Sequence, residues 1–156
     1  MRPALVYLAH PVGAADRAGV EANLAAVRRW LTYLVELPDR VSQQIAWCAP
    51  WVPYVEALPD DQPSYRARGM RDTLAALERC DALVAVARLS PGVTAELEHA
   101  RACGVLALNL TALGALPPPG TSATWWRDRP HADVIDQLRG LMAAVYRRRQ
   151  AAGETP

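Results

Sequence analysis

Short apolar runs alternate with longer segments of helical period along most of this chain, and that alternation limits the folds open to it. Residues 5–9, 44–49, 82–86 and 105–109 are apolar runs of strand length, closed off by Pro, Gly or Asn. Between the first two lies a helical segment, residues 17–37. Val20, Leu24, Val27, Trp30, Leu31 and Leu34 share one face of it, and Pro38-Asp39 stops it. Residues 69–79 are helical too, with Met70, Leu74 and Leu77 on one face. A further helix follows Ser90 and is capped at Gly104, and a last one spans 132–149. Strands alternating with helices predict an open, mostly parallel sheet. Ligands of such sheets bind beyond the carboxyl ends of the strands. The loops after Ala9, Ala49, Val86 and Asn109 are therefore expected to cluster.

The expected architecture is an α/β fold of the Rossmann/flavodoxin-like kind: four to five strands, mostly parallel, with helices on both faces. One domain, residues 1–150, accounts for a chain of 156 residues, leaving 151–156 as a disordered tail. Residues 55–68 are polar and proline-broken, and read as a loop or a short helix pair. Residues 116–122 form an extended connector.

No apolar run approaches the roughly 20 residues of a membrane span. The N-terminus lacks the layout of a secretory signal. The three cysteines, Cys48, Cys80 and Cys103, form no CxxC pair, which fits a reducing cytoplasm and neither a disulfide scaffold nor a zinc site. No metal-ligand spacing is read around His99 or His131, so no metal is expected and no cofactor is implied. A net charge of +1 argues against binding a nucleic-acid polymer. All seventeen basic residues are arginine, so no lysine Schiff base can form. Arg147-Arg148-Arg149 reads as a solvated helix end.

The chemistry concentrates after the third apolar run. There a polar turn, Ser90-Pro91-Gly92-Val93, opens a helix whose first turns carry Glu96. Free N–H groups at a helix start favour an anion, and Glu96 can face the same crevice. Tyr7 stands near the carboxyl end of the first strand. His10 follows in the first loop, where it can meet a phosphate. Trp51 and Tyr54 can stack on a nucleobase. Each residue also has a plain structural reading. Ser90 can serve only as an N-cap, Tyr7 as core, His10 as a surface histidine, and Asp72 as a helix acid paired with an arginine. Asp81 reads as a turn residue and Glu98 as solvated.

Taken together, these residues resemble a known family. The opening Val6-Tyr7-Leu8-Ala9-His10-Pro11 resembles the first strand and loop of nucleoside 2-deoxyribosyltransferases and their relatives. The run Ser90-x-Gly92-Val93-x-x-Glu96-Leu97-x-x-Ala100 resembles the catalytic segment of that superfamily. It is closest to the branch that cleaves the N-glycosidic bond of nucleoside 5'-monophosphates. Asp72 matches the acid in the helix before the third strand, and the likeness covers residues 4–110.

The resemblance implies that Glu96 attacks the anomeric carbon or stabilises an oxocarbenium ion there. It implies that Tyr7 holds that carboxylate, that Asp72 protonates or grips the leaving base, and that Ser90 and Gly92 hold the 5' end of the substrate. It also implies a homodimer or higher oligomer, for which Trp125-Trp126, Thr121 and Ser122 are contact candidates. The first loop departs from the pattern: it lacks the arginine or serine pair around the phosphate, and only Arg17 is close. The expected activity is cleavage or transfer at the N-glycosidic bond of a nucleoside or nucleotide. The alternative is a non-catalytic nucleotide-sensing module on the same fold.

Overall fold

A computed structural model describes residues 2–59, 62–113 and 131–154. Four strands, β1 (Ala4–Ala9), β2 (Ile45–Cys48), β3 (Ala82–Ala85) and β4 (Leu106–Asn109), form one parallel sheet in the order β2-β1-β3-β4. Five helices accompany them: α1 (Arg17–Val35), α2 (Trp51–Ala57), α3 (Pro63–Leu77), α4 (Pro91–Ala102) and α5 (His131–Ala151). The open parallel α/β architecture is the one the alternation predicts. No helix among the described residues is long and apolar enough to cross a membrane.

Strand parity builds the two faces. Ala4, Val6 and Leu8 of β1 point into one core, with Val27, Trp30 and Leu34 of α1 and Leu138 and Met142 of α5. Tyr7 and Ala9 point the other way, into a second core with Leu77 of α3 and Val93, Leu97 and Ala100 of α4. Val6 and Leu34 are fully buried. Burial of such side chains contributes about 1.5–3 kcal/mol each.

Three local readings change. The segment after Ala49, expected as a loop, is helical from Trp51. Pro50 caps α2 and Pro53 lies in its first turn, where a missing N–H costs the helix nothing. Pro63 opens α3 in the same way, so that helix starts six residues before Gly69. Arg149 is buried rather than solvated, because it continues the buried stripe Val134, Leu138, Leu141, Met142 and Val145 of α5. Its guanidinium donates to Asp81 at 3.1 and 2.6 Å and to the carbonyls of Arg2 and Pro3. Asp81 also accepts the Leu5 N–H at 2.7 Å, so this acid is the structural residue the sequence implies.

The segment read as a loose tail is tied down as far as Glu154. Gly153 takes a positive φ of 79°, the Glu154 N–H closes on the Arg149 carbonyl, and the Glu154 carboxylate meets Arg2 at 3.0 Å. The connector 116–122, together with Thr121, Ser122, Trp125 and Trp126, lies outside the described residues.

The strand order fixes where a crevice opens. From β1 the chain crosses through α1 to β2 on one side, then returns past β1 to β3 on the other. The carboxyl ends of β1 and β3 are therefore the point where the winding reverses, and loops part there. In the loop after β3, Ala87 holds a positive φ of 67°, a strained setting for a residue with a Cβ.

Candidate functional site

A cavity of about 160 Å³ fills that crevice. The loop after β1 contributes His10, Val12 and Gly13. Helices α2 and α3 contribute Trp51, Val55, Arg66 and Met70. Arg88 and the first turns of α4, Ser90 to Val93 with Glu96, close the remaining side.

Glu96 enters the cavity because of its place on α4. The buried stripe of that helix is Val93, Glu96, Leu97 and Ala100, so a carboxylate interrupts an otherwise apolar row. Glu96 is only 2% exposed. Its Oε1 accepts a hydrogen bond from the Tyr7 hydroxyl at 2.7 Å and another from the Trp51 indole N–H at 2.8 Å. Burial raises its pKa to about 7, and the two hydrogen bonds, which favour the ionised form, only partly offset this. Burial and the facing Glu96 also push the Tyr7 phenol above its ordinary value, so it remains an O–H donor across the physiological range. Fully buried Thr73 stands beside that phenol and opposes the shift.

Trp51 reaches Glu96 because α3 offers no side chain at Gly69. A Cβ there would lie 2.9 Å from the indole ring. A helix-interior glycine costs about 1 kcal/mol relative to alanine, and here the missing methyl makes room for the indole.

His10 is buried, not a surface residue. Its Nδ1 lies 2.6 Å from the Pro11 carbonyl, a pairing that requires the proton on Nδ1 and leaves Nε2 an acceptor. Nε2 is buried with no partner among the described residues. Burial lowers the pKa of His10 to about 4, and nearby Arg88 and Arg29 act in the same direction.

On the opposite wall Ser90 does cap α4, accepting the Val93 N–H at 3.3 Å through its side chain, while its carbonyl takes the Thr94 N–H. Pro91 carries no N–H, and the Gly92 N–H stands outside this cap. With Arg88, the helix start makes this wall electropositive, and Arg66 lines the cavity from α3 beside Gly13.

Of the residues singled out in the sequence, the structure thus gathers Glu96, Tyr7, Trp51, Ser90, Gly92 and His10. It does not gather Asp72 and Tyr54. The Tyr54 hydroxyl donates to Asp72 at 2.9 Å, and Arg71 and Arg68 flank the same carboxylate. Those hydrogen bonds, from Tyr54 first and then Arg71, hold Asp72 below its ordinary value. Neither residue lines the cavity. The buried stripe of α3 is Gly69, Thr73 and Leu77, and one position along a helix turns the side chain by roughly 100°.

Arg66, Arg88 and Gly69 were not singled out. Arg88 stands two residues before Ser90 in the same loop, which was a readable sign. Arg66 belongs to the stretch read as proline-broken.

Away from the cavity, His99 has neighbours that the sequence reading passed over. It lies one turn before Cys103 on α4. Its Nε2 is 2.9 Å from a Glu78 carboxylate oxygen and 3.5 Å from the Cys103 sulfur.

No curated protein matches this chain. Residues 4–108, from β1 through α4 and most of β4, match the model of a family described as a domain of unknown function (DUF7768), and the chain belongs to that family.

Proposed function

We propose that this protein cleaves or transfers at the N-glycosidic bond of a nucleoside 5'-monophosphate or a nucleoside, with Glu96 as the group that meets the sugar. One observation carries the reading: a carboxylate buried in a cavity at the winding reversal of the sheet, held by the neutral donors Tyr7 and Trp51. Both donors meet on Oε1, which leaves Oε2 for the substrate. Breaking a glycosidic bond builds positive charge on the anomeric carbon, and a carboxylate with no cation beside it is matched to that charge. In the covalent version Oε2 bonds to the anomeric carbon as the carbon–nitrogen bond breaks, and the electron pair leaves with the base. Water, or a second base, then displaces the carboxylate and restores it.

The rest of the cavity supports the same substrate class. Its volume lies below the roughly 300 Å³ where ordinary small-molecule pockets begin, so it suits a pentose rather than a whole nucleotide. A base would then rest at the open mouth beside Trp51. The Gly92 N–H, Arg88 and Arg66 supply the positive wall for a 5'-phosphate. These two arginines stand in for the pair that the first loop lacks. Neutral His10 offers Nε2 as an acceptor for a sugar hydroxyl.

A second reading, a nucleotide-sensing module, draws on the position of Asp72. With Asp72 held outside the cavity, Glu96 is the one acid among the described residues that line it, and no second carboxyl stands ready to protonate the base.

The experiment is incubation of purified protein with deoxynucleosides, ribonucleosides and their 5'-monophosphates, with free base followed by chromatography. Release by the wild type and its loss in Glu96→Gln is the expected result, with monophosphates turned over at lower KM than nucleosides. Thermal stabilisation by a nucleotide without base release selects the sensing module instead. Neither release nor stabilisation with any of them rejects both.

A further inference from the structure

We propose that Glu78, His99 and Cys103 form a binding site for one divalent transition-metal ion of the zinc type, on the edge of the sheet opposite the cavity. The proposal is independent of the function assigned above. Helices α3 and α4 end beside the amino ends of β3 and β4, whereas the cavity lies at the carboxyl ends. The three side chains come from those two helix ends: Glu78 is the last residue of α3's cap, and His99 and Cys103 stand on the last turn and cap of α4.

Spacing comes first. His99 and Cys103 are four residues apart, the separation that puts two side chains on one helix face. Glu78 meets them from the neighbouring helix. One ligand atom from each residue lies within 4.8 Å of the other two. The shape is also right. For a tetrahedral zinc ion, bond lengths of about 2.0–2.3 Å place nitrogen and sulfur ligands about 3.5 Å apart and nitrogen and oxygen ligands about 3.3 Å apart. The observed separations are 3.5 Å from His99 Nε2 to Cys103 Sγ and 2.9 Å from Nε2 to Glu78 Oε1. The Glu78 oxygen and Cys103 sulfur lie within 4.8 Å of each other, so these exposed side chains need close by no more than about 1 Å to meet one ion. An ion bound at Nε2 would leave the imidazole proton on Nδ1, and the Cys103 thiol would release its proton to solvent to bind as thiolate.

Electrostatics favours a cation at this place. Two helix carboxyl ends meet there, each carrying roughly half a negative charge, and Glu78 adds a full one. Arg79 is engaged with the Ala75 carbonyl and Arg148 with that of Gly104. A set of one nitrogen, one oxygen and one sulfur selects zinc or cobalt over magnesium or calcium. Three protein ligands leave a fourth position to water.

The test is a cobalt(II) titration of the reduced, metal-free full-length chain, read by absorption. The expected result is one equivalent bound, with a thiolate-to-cobalt charge-transfer band that zinc(II) abolishes. Cys103→Ser removes the band, and His99→Gln weakens binding by at least about tenfold. Cys48→Ser leaves both unchanged. Zinc should also protect Cys103 from alkylation, read by mass spectrometry. All three ligands are exposed or partly exposed, so the variants keep the fold, which circular dichroism checks. No band at millimolar cobalt, or a band that survives Cys103→Ser, overturns the site.

Discussion

Two carboxylates are withdrawn from water at opposite edges of the same sheet, and they are held in opposite ways. Asp81, at the amino edge, is clamped by a buried guanidinium through two hydrogen bonds and by the Leu5 N–H. Every strong partner stabilises its charge, and the contacts tie the start of β1 to the end of α5. Glu96, at the carboxyl edge, is held among the described residues by a phenol and an indole, both neutral, and its pKa rises to about 7. An acid neutralised by an arginine has little left to offer a ligand. An acid buried against neutral donors keeps its affinity for positive charge, and burial is the cost of keeping it.

The sharpest way to break this contrast is to remove one partner at the amino edge. Arg149→Ala leaves Asp81 without its cation, and unfolding in urea should show a loss of about 3 kcal/mol, in the range for a broken buried ion pair. Glu96→Gln keeps the shape and removes the charge, so at pH 7.5 it should cost nothing or stabilise. Equal losses in the two variants would mean that the carboxylates play the same structural part.

The next effect is on pH dependence. The folded-state pKa of Glu96, about 7, lies above the ordinary carboxyl value of 4.5, so the folded protein keeps a proton that the unfolded chain releases. The resulting stabilisation is complete below pH 4.5, fades as the pH rises to about 7, and is absent above that. The stability difference between wild type and Glu96→Gln should therefore fall by up to about 3 kcal/mol across that window. A flat difference would mean that Glu96 ionises at its ordinary value.

Much of both edges was legible in the sequence, and the failures have physical causes. Strand parity and helical period placed β1 to β4 and the register of α1. The apolar row Val93, Leu97 and Ala100 already carried Glu96 on its buried face. The same rule read further along α5 would have found Arg149, because it falls four residues after Val145 in the buried stripe. There the arginine run outweighed the period. Helix α2 was hidden by its prolines, which sit where a helix tolerates them. Asp72 stands on the expected helix but outside the cavity, on the side away from Met70, Leu74 and Leu77, a rotation that the resemblance alone does not report. Leu77 is buried and Leu74 packs against the same core, as that face predicts, and Gly69 and Thr73 extend the buried side. The pairing of Glu78 with His99 joins two helices, which no local pattern reports.

Gly69→Ala breaks the support of the carboxyl edge without touching an ionisable group. The new methyl would stand 2.9 Å from the Trp51 ring, so the indole must shift to admit it. Overpacking costs about 1–3 kcal/mol, and the gain in helix propensity returns about 1 of it. A net loss of about 1 kcal/mol is expected, together with a change in tryptophan fluorescence as the indole leaves Glu96. A variant as stable as the wild type, with the same fluorescence, would show that the gap is not needed.

A change that leaves the packing in place isolates the electrostatics. Trp51→Phe keeps an aromatic ring beside Glu96 and deletes one of the two donors that favour its ionised form. Losing a hydrogen bond to a charged oxygen is worth about 1.5 kcal/mol, which should move the midpoint of Glu96 upward by roughly one pH unit. Titration followed through carbon-13 glutamate carboxyl shifts reads this without any assumption about activity. If the protein turns over a nucleotide, the acid limb of kcat/KM should move with it, because the ionised carboxylate is the working form. A midpoint that stays near 7 would leave burial alone in control of Glu96, with the indole only filling space. The amino edge has no counterpart to this experiment: a guanidinium holds Asp81, and trimming one neutral neighbour would leave its charge in place.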